Sequence, residues 1–63
     1  MKKFIKINED RVLLSSIKRY RPIEDNSIYI YYSVSRYRVD KELFKFESEK
    51  KRDMIINILD EIL

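Results

Sequence analysis

The sequence predicts an α+β fold, a small antiparallel β-sheet of three to five strands followed by one C-terminal α-helix packed on one face. Two observations carry this expectation. Up to Phe46, β-branched and aromatic residues gather in short runs separated by Asn, Asp and Ser clusters. Beyond Ser48 the apolar residues recur at helical spacing instead. Strands first and a helix last is the order of an α+β plan, and 63 residues leave room for one domain.

Lys3 to Ile7 alternates with period two and reads as a first strand, ended by the polar turn Asn8-Glu9-Asp10. Val12-Leu13-Leu14 opens a second extended segment, which Ser15-Ser16 breaks by a bulge or a reversal before Ile17 to Tyr20 resumes it. Residues 22–26 hold the densest turn signal, with Pro22, Glu24, Asp25 and Asn26 together. Ser27 to Ser33 is the strongest strand, because Ile28, Tyr29, Ile30, Tyr31 and Tyr32 are all β-branched or aromatic. After a connection at residues 33–35, Arg36 to Val39 alternates again. Asp40-Lys41-Glu42 then reads as a turn before Leu43 to Phe46.

Ser48 is the natural N-cap of the final helix, and Glu49 places a carboxylate in its first turn. Lys51 stands where a capping box needs Glu, so no box is expected. Ile55, Ile58, Leu59 and Ile62 form the expected core stripe. Met54, Ile56 and Leu63 widen it into a surplus apolar flank, which points to self-association or a partner.

Composition excludes much chemistry. The chain has no cysteine and no histidine, which rules out disulfides, thiolate or imidazole zinc sites, and Ser-His-Asp or Cys-His catalysis. With no glycine there is no phosphate-cradling loop of the P-loop or Rossmann kind. The acidic pairs Glu9-Asp10, Glu24-Asp25 and Asp60-Glu61 fall in turns or on a solvated helix face and read as solubilising charge rather than cation ligands. No metal, no cofactor and no enzyme activity are expected. Met1-Lys2-Lys3 resembles the start of a signal peptide, but Lys6, Asn8, Glu9 and Asp10 interrupt any apolar core. No apolar run nears the roughly 20 residues of a membrane span, and a cytoplasmic setting follows as the expectation. A domain of this size exposes so much of its surface that a dimer or a partner is the expected support.

The binding signal is Tyr interleaved with Arg and Lys on strands. If Ile28, Ile30 and Tyr32 face the helix, Tyr29 and Tyr31 face away from it. Arg36 and Arg38 are expected on that outer face, with Lys18 and Tyr20 joining in some registers. Three readings follow. The first is a small non-enzymatic accessory or inhibitor protein that docks on a larger protein, resembling phage and mobile-element accessory proteins in size and form. The second is a nucleic-acid binder, because rings and cations on an open sheet stack bases and neutralise phosphates. The strands-then-helix order is similar to that of dimeric transcription coactivators that bind single strands. The third is a nucleotide-sequestering oligomer with Arg and Tyr shared between subunits. A one-residue register slip would exchange the two sheet faces.

Overall fold

The computed structural model describes residues 3–63, so the basic start at Met1 and Lys2 lies outside the described residues. Five strands and one long helix follow in chain order: β1 Phe4–Ile7, β2 Asp10–Leu13, β3 Ile17–Ile23, β4 Ser27–Ser33, β5 Val39–Lys45 and α1 Glu49–Ile62. The fold is α+β, as the sequence predicts. The strands divide between two antiparallel sheets, a β1–β2 hairpin and a β3–β4–β5 meander with β4 in the centre.

The turns work without glycine. Asn8 (φ 55°), Asp25 (φ 61°) and Asn26 (φ 56°) occupy the left-handed region. Asn and Asp are the non-glycine residues that enter it most readily. The break at Ser15-Ser16 is a reversal: Leu14–Ser16 forms one 3₁₀ turn, and the Ser16 hydroxyl donates to the Leu13 carbonyl at 2.7 Å. That turn carries the chain from the hairpin into the second sheet.

Two segments differ from the sequence reading. Pro22 belongs to β3, not to the turn; β3 is an edge strand, where a missing N–H breaks no ladder bond. Asp40-Lys41-Glu42 is likewise part of a strand. β5 runs unbroken through it, pairing Asp40 with Tyr32, Lys41 with Tyr31 and Glu42 with Ile30. Conversely, Arg36 and Tyr37 lie in the β4–β5 loop, and Tyr37 is 91% exposed. Alternation alone cannot separate a short loop from a strand when both are polar.

One face of the meander makes the core. Ile28 and Ile30 of β4 and Phe44 of β5 meet Ile5, Ile7 and Val12 of the hairpin, together with Phe46 from the β5–α1 connection and Leu59 of α1. The hairpin and the helix therefore cover the same side of the meander. Ser48 caps the helix, its hydroxyl accepting from the Lys51 amide at 3.2 Å. Arg52, with its side chain only 16% exposed, donates to the Ile23 carbonyl at 3.0 Å and ties the first turn of the helix to the end of β3. Leu59 is fully buried, with Ile55 and Ile56 packed beside it. Ile58 and Ile62, expected in the core stripe, are 40% and 49% exposed, while Ile56 turns inward. The core stripe thus keeps Ile55 and Leu59 but turns by roughly 60° about the helix axis, toward Arg52 and Ile56. The cause is tertiary: Arg52 and Asp60 both bond to β3, which fixes the rotation about the helix axis.

Candidate functional site

The uncovered side of the meander is built by alternation. Ile28 and Ile30 point into the core, so Tyr29 and Tyr31 stand on the opposite face of β4, their ring centroids 6.2 Å apart. Directly opposed residues of an antiparallel pair share a face. The register therefore sets Arg19 and Lys41 on either side of Tyr31, and Arg21 and Leu43 on either side of Tyr29. Lys45 and Val39 extend the same face along β5.

These neighbours touch. The Arg19 guanidinium sits 4.4 Å from the centroid of the Tyr31 ring, and the Lys41 ammonium reaches diagonally to 5.0 Å from that of Tyr29. Both distances fall within the range of cation–π attraction. Arg19, Arg21, Lys41 and Lys45 are all exposed, and Leu43 and Val39 are 49% and 41% exposed between them. Among the described residues no carboxylate shares this face. The sorting comes from β5, where Val39, Lys41, Leu43 and Lys45 alternate with Asp40, Glu42 and Phe44, sending the acids to the other side.

The expected site residues are only partly brought together. Tyr29 and Tyr31 lie side by side on the outer face. Tyr20 does not join them: it stands opposite Ile30 on the inner face, where its hydroxyl donates to Asp60 of the helix at 2.5 Å. Lys18 is exposed at the bulge between Ile17 and Arg19 and has no opposed residue on β4. Arg36 is in the β4–β5 loop. Arg38 ends that loop, with its Nε donating to Asp40 at 3.3 Å. The cations that do flank the tyrosines are Arg19, Arg21, Lys41 and Lys45. Two signals could have found them: Tyr20 is the more core-compatible residue of the Arg19-Tyr20-Arg21 run, and the Lys41 triplet continues the alternation of Leu43 to Lys45.

The flank on the helix also changes membership. Met54 and Leu63 are 52% and 56% exposed, whereas Ile56 is partly buried against the core. Met54, Ile58 and Ile62 form the exposed row instead.

Two phenols are held by carboxylates across the inner side of the fold. Hydrogen bonding to Asp60, with burial and the Asp60 charge adding to it, pushes the Tyr20 phenol up to about 12. Burial and the bond to Glu42 raise Tyr32 further still. Both phenols are therefore held protonated. Among the described residues no three carboxylates gather as a cation site, and no helix is long and apolar enough to cross a membrane. What the outer face offers is ring surface and fixed positive charge. No protein family, curated protein or solved structure matches this chain.

Proposed function

We propose that this chain is a non-enzymatic binding module that takes single-stranded nucleic acid across the outer face of its β3–β4–β5 sheet. One observation carries the reading: Tyr29 and Tyr31 are ringed by Arg19, Arg21, Lys41 and Lys45, with no carboxylate on that face among the described residues. Magnitudes favour exchanging the internal contacts for a ligand. An exposed cation–π pair is worth about 0.5–1 kcal/mol. A base stacked on an aromatic ring is worth about 1–3 kcal/mol. Moving Arg19 and Lys41 off the rings thus costs less than two stacked bases return, and the released cations are left beside the phosphates. The open, flat face suits a strand with splayed bases better than a duplex, whose rings are already stacked.

A labelled single-stranded oligonucleotide, followed by fluorescence anisotropy, tests this. Tyr29→Ser with Tyr31→Ser removes both rings while leaving Ile28 and Ile30 in the core, and should weaken binding at least about 30-fold if each stack contributes about 1 kcal/mol or more. A mononucleotide that competes as well as the oligomer would move the reading to nucleotide sequestration.

Leu43 and Val39, exposed amid the cations, favour a second reading. An apolar residue beside Tyr and Arg is the composition of a protein–protein hot spot, and the same face would then dock on an acidic patch of a larger protein, as a small accessory or inhibitor does. Leu43→Ser separates the two: it should weaken a protein complex strongly and leave oligonucleotide affinity nearly unchanged.

A further inference from the structure

We infer that the exposed flank of α1 is a self-interface, on which a second copy of this chain packs its own α1 antiparallel about a two-fold axis. The apolar part of this surface is the row Met54, Ile58 and Ile62, spaced four residues apart and 52%, 40% and 49% exposed. A row at that spacing is a straight ridge on a helix. Beside Met54 and Ile55 lies an open depression of about 220 Å³, lined also by Phe46, Lys51 and Asn8, that would receive a partner side chain.

Charge selects the occupant and its direction. Lys50, Lys51 and Arg52 stand in the N-terminal turn of the helix, where Glu49 and Asp53 pair with Arg52 and leave Lys50 and Lys51 as the cations turned outward, and Asp60 and Glu61 stand in its C-terminal turn. Both groups oppose the helix's own macrodipole, which favours acids first and bases last. An antiparallel neighbour of the same sequence reverses the problem at both ends. With the axis level with residue 56, Met54 of one copy faces Ile58 of the other, Lys50 lies over Ile62, and Lys51 meets Glu61. Neither Lys50 nor Glu61 has an ion pair among the described residues, and the Lys51 pair to Glu47 is an exposed one that is cheap to exchange. A parallel arrangement would set like charges against each other at both ends.

The geometry also leaves the sheet faces free. Ile58 precedes the fully buried Leu59 by one residue, so the row lies about 100° around the helix from the core direction. A two-fold axis perpendicular to both helices then keeps the two sheets on the same side, with their outer faces pointing the same general way.

Charge exchange tests it, with mass read by light scattering after size exclusion and fold by circular dichroism. Wild type should run as a dimer. Lys51→Glu and Glu61→Lys should each weaken it at least about tenfold, and an equimolar mixture of the two variants should recover a heterodimer. Ile58→Glu should give a folded monomer. A wild type that stays monomeric up to high micromolar concentration overturns the inference. So does a dimer unaffected by Ile58→Glu, or two charge variants whose mixture recovers nothing. Because Tyr29→Ser with Tyr31→Ser should leave this dimer intact, its failure is distinguishable from failure of the sheet-face reading.

Discussion

The charge on the outer face sets a number that binding must obey. Each phosphate neutralised on a single strand contributes about −0.7 to the slope of log affinity against log salt. Arg19, Arg21, Lys41 and Lys45 are the cations beside the tyrosines, so a strand that engages all of them gives a slope near −2.8 per protomer. Raising salt fourfold would then weaken binding about 50-fold. Lys41→Gln with Lys45→Gln removes two of the contacts, and should bring the slope to about −1.4 and the same salt step to about sevenfold. The perturbation is clean because both side chains are exposed and the opposite face of β5 is untouched. As a control, Lys6→Gln with Arg11→Gln removes an equal charge from paired positions of the β1–β2 hairpin, which covers the other side of the meander. Anisotropy titrations of a labelled oligonucleotide at four or more salt concentrations read all three slopes. Equal slopes for the two double variants would refute the reasoning, since charge would then act through the whole molecule and not through this face. Tight binding with a slope near zero would refute it as well.

Two further outcomes follow from the core and from the phenols. Leu59→Ala should cost about 3–5 kcal/mol, as buried Leu→Ala changes do. A domain of this length is stable by only about 3–9 kcal/mol in all, so the variant should be largely unfolded by circular dichroism in mild urea; a loss under 1 kcal/mol would show that the helix is not seated as described. Tyr20 holds its proton more tightly folded than unfolded, so its contribution is complete below pH 10.0 and is lost as pH climbs through about 12. Tyr20→Phe should therefore lower stability by about 1 kcal/mol near neutral pH, and urea titrations should show the gap to wild type closing across that alkaline window.

The class of fold was legible in the sequence because period and composition agree in its strongest segments. Ser27 to Ser33 has no competing reading as anything but a strand, and Ser48 followed by the Ile and Leu spacing starts a helix where the structure starts one. Faces were harder to read, since a face depends on register and register on long-range contacts. The bulge at Lys18 shifts β3 by one residue against β4, which is enough to turn Tyr20 inward and bring Arg19 and Arg21 outward. The helix shows the same limit: bonds from Arg52 and Asp60 to β3 choose between two apolar stripes that the sequence alone presents as nearly equal. Tyr29 and Tyr31 escaped this ambiguity because they alternate with Ile28 and Ile30, which take the core face of β4.

The division into two sheets has a consequence for how the molecule opens. Among the described residues no ladder joins β1–β2 to β3–β4–β5; apolar contact holds the hairpin, together with the Asn8 side-chain amide, which donates to the Lys45 carbonyl at 3.0 Å. Apolar contact resists sliding less than a shared ladder does, so the hairpin forms a separate unit of opening, one that can lift while the meander keeps its own hydrogen bonds. Amide hydrogen exchange should then fall into two classes, with the β1–β2 amides exchanging ahead of those in β4. Such a lift would bare Ile28 and Phe44 from the side away from the tyrosines. The face proposed to bind would keep its shape through these excursions, while the buried face would carry the risk of aggregation.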